Sequence, residues 1–206
     1  MKRLICFSAV FFIVSAGNIF AQATSNVTLT KVDGTIIVKS YDLNKTSLDF
    51  RGFFLKKIEG LAVFVNLIDL DVADNQLTEL NVRSLVNLET LYATGNRLSA
   101  LDVSQNVALR RLDVAINNLE SLIVRFNSKL EKLDVSFNKL SELNVGNNTQ
   151  LTELYVEGNK LKVLDVSTNE FLTLLDAYDN PLESLNVSNN KMLTKLYVDS
   201  NVKIIR

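Results

Sequence analysis

Leucine returns along most of this chain with a fixed rhythm. From Asn66 the sequence divides, without insertion or deletion, into units of 21 residues, from NLIDLDVADNQLTELNVRSLV to FLTLLDAYDNPLESLNVSNNK, followed by a shorter copy that closes the chain. Leu holds the second and fifth places of each unit, Val or Ala the seventh and Asn the tenth. Within a unit the pattern L-x-x-L-x-V-x-x-N recurs after about half a period.

Apolar and variable residues alternate through Leu70-Asp71-Val72 and its equivalents with the two-residue period of a half-buried strand. Each unit is therefore expected to give one short strand and to stack on its neighbours as a coil, with ladder hydrogen bonds running between coils. The second half, such as Leu80-Asn81-Val82, offers another strand or extended segment on the opposite side. Asn75, Asn96, Asn117, Asn138, Asn159, Asn180 and Asn201 fall where the chain leaves each strand and turns. An amide pointing inward there satisfies backbone groups of its own turn and of the next coil. A second column runs through Asn106, Asn127, Asn148, Asn169 and Asn190, with Leu85 in the matching place of the first regular coil.

The ends depart from the repeat. Residues 44–65 read as a degenerate first coil of 22 residues, in which Leu48, Phe50, Leu55, Ile58 and Leu61 keep the apolar spacing. Phe53 takes the asparagine position, where it is expected to plug the end of the core. Residues 24–43 alternate through Val27-Thr28-Leu29-Thr30, turn at Asp33-Gly34 and continue as Ile36-Ile37-Val38, the pattern of an N-terminal hairpin cap. Regular coils span 66–191 and a truncated last coil 192–206. The expected fold is a repeat solenoid with short parallel β-strands, little helix and an N-terminal β cap; a parallel β-helix is the competing architecture.

Composition sharpens this reading. Seven Gly and one Pro are few for a chain that turns so often, which leaves the turns to Asn. Met1-Lys2-Arg3, the apolar run Leu4 to Val14 and the small residues up to Ala23 form a signal peptide over residues 1–23, with cleavage expected near Ala21 to Ala23. An apolar run of 11 residues falls short of the ~20 that span a membrane, so no transmembrane segment is expected in the mature chain. The protein is placed as secreted or in the cell envelope.

The only cysteine, Cys6, lies in this leader and the chain has no His. Disulfides, thiol and histidine catalysis and zinc sites are thereby excluded. Without Lys2 and Arg3 the balance is 20 basic to 23 acidic residues, which disfavours a nucleic-acid partner. The carboxylates recur at repeat positions instead of interrupting the repeat in a pocket, and no glycine-rich phosphate or calcium loop accompanies them. No enzymatic activity, cofactor or metal is expected.

Residues that alternate with the core Leu and Val point outward in columns. The first half-coil presents Asp71, Tyr92, Asp113, Asp134, Tyr155, Asp176 and Tyr197. Beside it run Ala73, Thr94, Ala115, Ser136, Glu157, Tyr178 and Asp199, and near the turn Ile116 and Phe137. The second half-coil presents mainly Asn, Asp and Ser, the look of a solvated structural face. Aromatic residues among carboxylates suit a binding surface, so Asp71, Tyr92, Asp113, Ile116, Asp134, Phe137, Tyr155, Asp176, Tyr178 and Tyr197 are the candidate ligand-binding residues. A protein ligand is expected, by interaction or adhesion; a carbohydrate ligand and a spacer without ligand are the alternatives.

LRRLDVAINNLESLIVRFNS and LEKLDVSFNKLSELNVGNNT resemble the nested 21-residue, IRREKO-type class of bacterial leucine-rich repeats, found in secreted and surface proteins of Bacteroidetes. The likeness covers residues 66–201 and extends more weakly back to Asn44. It implies a curved solenoid that binds proteins or other surface ligands, in some members as an adhesin, and it fixes no ligand.

Overall fold

The computed structural model describes residues 23–206, so the leader read over 1–23 lies, but for its last residue, outside the described residues. The architecture is the expected solenoid of parallel strands. Eight strands, β3 (Ser47–Asp49), β5 (Asp69–Asp71), β6 (Thr90–Tyr92), β7 (Arg111–Asp113), β8 (Lys132–Asp134), β9 (Glu153–Tyr155), β10 (Leu174–Asp176) and β12 (Lys195–Tyr197), form one parallel sheet with one strand from each coil. The register aligns Leu48, Leu70, Leu91, Leu112, Leu133, Leu154, Leu175 and Leu196 as a single inward row. Backbone bonding runs on past these three-residue strands, as where the Val114 amide donates to the Asp134 carbonyl at 2.9 Å. The only helical element among the described residues is a single 3-10 turn, Leu61–Val63.

The core is a column of Leu and Val stacked coil on coil, in which Leu67, Leu88, Leu109, Leu130, Leu151 and Leu172 form one fully buried row. The second half-coils lie opposite the sheet, and strand pairing reaches them only at the last two coils, where β11 (Ser184–Asn186) pairs in parallel with β13 (Lys203–Ile205).

At the N-terminus, β1 (Thr24–Lys31) and β2 (Ile36–Asp42) form an antiparallel hairpin. Its turn is fixed by the Thr35 amide donating to Asp33 and by Gly34 at φ 86°. β1 also pairs antiparallel with β4 (Leu55–Glu59) of the first coil, in a register that skips Lys56. Lys56 is the extra residue of the 22-residue coil, and the bulge absorbs it without disturbing the stack above.

The ring expected to plug the core end is the wrong one. Phe50 and Phe64 are fully buried there, each met edge-on by Tyr41 at 6.0 and 6.3 Å between centroids, whereas Phe53 is only half-buried beneath Lys39. Phe50 stands at a core Val position, so its side chain points inward; Phe53 stands at the edge turn.

Asn201 also departs from expectation. It is exposed, and the Leu182 amide, which an in-register Asn would receive, donates instead to the Asn180 carbonyl at 2.8 Å. Leu185 pairs with Ile204, a step of 19 residues, against 21 between Leu175 and Leu196. The last coil crosses between its two halves by a shorter path, buries Val202 and carries Asn201 out of its column.

Candidate interaction surface

The first asparagine column fixes the turn that bounds this surface. Asn138 Nδ2 donates to the carbonyls of Val114 at 3.0 Å, Val135 at 3.0 Å and Ser136 at 3.2 Å, while its Oδ1 accepts from the Leu119 amide at 2.9 Å. The same set recurs at Asn75, Asn96, Asn117 and Asn159, with Asn180 joining it through Val156 and Leu161. Each amide thus bridges its own turn to the preceding coil, not to the next one as expected, because the side chain points back along the stack. The second column is bonded on one side only. Asn127 Nδ2 donates to the carbonyls of Val103 and Asn106, yet its buried Oδ1, like those of Asn106, Asn148, Asn169 and Asn190, finds no partner.

At this turn the chain enters a left-handed conformation at the residue before the Asn. Asp74, Gly95, Ile116, Phe137, Gly158 and Asp179 all have φ between 53° and 66°. Gly and Asp tolerate this region; a β-branched Ile or a Phe does so at a cost of about 1–2 kcal/mol. These two strained residues are adjacent in the stack and exposed, Ile116 at 58% and Phe137 at 48%. Room for the Phe137 ring exists because the next coil has Gly158: a Cβ there would stand 2.6 Å from Phe137 Cδ1.

The sheet's outer surface lies beside this ridge. Asp71, Tyr92, Asp113, Asp134, Tyr155 and Asp176 are half-buried along its centre, with Tyr197 exposed at its end. The Asp residues have a structural duty as well: Asp71, Asp113, Asp134 and Asp176 each accept the amide two residues on, from Ala73, Ala115, Ser136 and Tyr178. The neighbouring column is not uniformly outward, as the alternation suggested. Ala73, Ala115 and Ser136 are buried, while Tyr178 stands exposed. The columns bring Asp113, Ile116, Asp134, Phe137, Tyr155, Asp176 and Tyr178 into four consecutive coils; Asp71, Tyr92 and Tyr197 lie toward the two ends.

Burial raises the carboxyl of Asp113 above its usual range, and the facing Asp134 adds to the effect. Burial likewise raises Asp176, again with Asp134 contributing, and raises Glu157 in the field of Asp176, Asp179 and Asp134. Among the described residues none of Asp113, Asp134, Glu157 and Asp176 forms a salt bridge, and no group of three or more carboxylates converges as a metal-binding set.

A charged column escaped the sequence reading. Asp69, Thr90, Arg111, Lys132, Glu153, Leu174 and Lys195 flank the core Leu on its other side and share the outer face. Lys132 bridges Glu153 at 3.0 Å and lies 5.0 Å from the Tyr155 ring centre, and the Tyr155 hydroxyl donates to Glu153. The two-residue period carries this signal, since residues on both sides of an inward Leu face the same way.

No protein-family model matches the chain, and no curated protein matches it. Solved structures do. The functional domain of InlJ from Listeria monocytogenes, described as including a cysteine ladder, shares 29% identity at TM-score 0.64, covering 77% of this chain and 40% of that one. The leucine-rich-repeat protein LIC12759 of Leptospira interrogans shares 24% identity at TM-score 0.65, covering 70% and 40%. Internalin C2 of L. monocytogenes shares 19% identity at TM-score 0.65, covering 78% and 85%. The chain thus spans about 40% of the length of InlJ and of LIC12759. The fold is that of leucine-rich-repeat proteins.

Proposed function

We propose that this protein is an exported binding module that engages a protein ligand, in interaction or adhesion, through the outer surface of its eight-stranded sheet. One observation carries the reading. The sheet faces outward with no element of the described chain laid over it, and it presents Tyr92, Tyr155, Tyr178 and Tyr197 among carboxylates, a combination rich in the side chains that dominate interfaces. The stacked Asn amides hold each coil to its neighbour, so the surface is preorganised and little ordering entropy opposes association. Export rests on the leader read in residues 1–23, and N-terminal sequencing of the exported protein should find a start near residues 22–24.

The test is capture of envelope or host-surface proteins by the immobilised chain, compared with a variant carrying Tyr92→Ala, Tyr155→Ala and Tyr197→Ala. Loss of the captured set in a variant with unchanged melting temperature supports the sheet surface. Binding to glycan arrays that the same substitutions abolish would favour a carbohydrate ligand instead.

A further inference from the structure

We propose that the Ile116–Phe137 ridge, beside the carboxylate row Asp113, Asp134, Glu157 and Asp176, is the anchor for a cationic polypeptide segment that carries apolar side chains next to Lys or Arg. The proposal rests on the sheet-surface reading and names the chemistry of its partner.

Two independent features converge on the same coils. Every coil from the second to the seventh needs a left-handed residue before its ladder Asn, and four of the six use Gly or Asp. The two that do not are consecutive, apolar and exposed, and the following coil has the Gly that Phe137 needs in order to lie across it. Packing inside the fold does not call for Ile or Phe here, because both side chains point away from the core.

The second feature is charge. Arg51 pairs with Asp71 and Lys132 with Glu153, which leaves Asp113, Asp134, Glu157 and Asp176 without a cation in salt-bridge contact. Their like charges repel one another: Asp113 faces Asp134 across one coil boundary, and burial first, then these neighbouring carboxylates, raise Asp113, Glu157 and Asp176. A ligand that supplies cations relieves that repulsion, and one that also supplies apolar groups covers the ridge. Anionic nucleic acids and membranes are repelled, a neutral glycan supplies no cation, and a small polyamine leaves Ile116 and Phe137 exposed. A basic, apolar-bearing stretch of polypeptide satisfies both features.

The experiment uses the full mature chain and three short fluorescein-labelled peptides of equal length, alternating Lys with Leu, Lys with Ser, and Glu with Leu. Fluorescence anisotropy is read at low and at high salt. Only the Lys/Leu peptide is expected to bind well, more weakly at high salt. Ile116→Asn with Phe137→Asn should weaken it about tenfold or more, as should Asp113→Asn with Asp134→Asn. Asn suits the left-handed backbone and keeps the turn-fixing acceptor, so both variants should melt no lower than the parent. The proposal is overturned if the ridge variant binds the Lys/Leu peptide as before, if the Lys/Ser peptide binds equally well, or if no peptide binds. Preferential binding of the Glu/Leu peptide, abolished by Tyr92→Ala and Tyr155→Ala, would overturn the cationic partner while leaving the sheet surface as the binding face.

Discussion

The Oδ1 of Asn138 accepts the Leu119 amide across a coil boundary at 2.9 Å, and the same side chain donates to three carbonyls. Its two N–H groups thus serve three carbonyls, one of them shared, while the oxygen holds the Leu119 amide. Asn138→Ala would strand the Leu119 amide, while the carbonyls of Val114, Val135 and Ser136 keep their bonds from Asn117, Asn159 and Ile116, for a cost of about 1–3 kcal/mol. Asn127→Ala loses only two donated bonds and also removes an acceptor that has no partner, so about 1 kcal/mol or less is expected. Leu85, which stands in that second column in the first regular coil, already shows that the position does without an amide. Urea denaturation with an unchanged slope would rank the two; equal costs would mean that the columns share one role.

Ile116 offers a gain. Its φ of 53° suits Asn far better than a β-branched residue, and its side chain is exposed, so Ile116→Asn should stabilise the fold by about 1 kcal/mol. Calorimetry should show a higher Tm. A lower one would mean that Ile116 packs on its neighbours more than its exposure indicates.

The coil period, the core and the first Asn column were legible because every unit repeats them, so each column is attested several times over. What the repeat did not carry was lost. The left-handed residue before each Asn has no shared identity, since Asp74, Gly95, Ile116 and Phe137 all fill it, and the backbone demand could not be read from side chains. The outer face was read from one side of the core Leu, which hid Lys132 and Glu153. Asn201 obeyed the spacing in sequence, but ladder membership depends on how the chain proceeds afterwards, and the short crossing to β13 takes it out. Asn201→Ala should accordingly alter stability by less than about 0.5 kcal/mol, against the larger loss at Asn138.

The raised carboxyl of Asp113 has a signed consequence for pH. Its folded-state pKa lies above the unfolded one, so between the two the native state binds more protons and stability falls as pH rises. Above the folded pKa the ionised, partly buried carboxylate opposes folding in full; below the unfolded pKa of about 3.8 the penalty is absent. Asp113→Asn keeps the oxygen that accepts the Ala115 amide and removes the charge facing Asp134. The variant should melt about 1–3 °C higher than the parent at pH 7, with the difference vanishing as pH is lowered through the carboxylate range. A constant difference at all pH values would assign the effect to packing.

Gly158 and Phe137 couple two coils through a single close approach, and two glycines separate the contributions. Gly52 has φ 66° with nothing within 4 Å of a built Cβ, so Gly52→Ala measures the left-handed backbone alone, about 1 kcal/mol. Gly158 has nearly the same φ, 64°, but an added methyl would meet the Phe137 ring at 2.6 Å. Gly158→Ala should therefore cost more than Gly52→Ala by whatever it takes to move that ring. In a Phe137→Ala background the excess should disappear, giving a coupling of about 0.5–1.5 kcal/mol in a double-mutant cycle. Equal costs for the two glycines would mean that Phe137 swings aside freely. A ring that moves so easily would be a poor anchor, and the ridge would then have to bind through Ile116 alone.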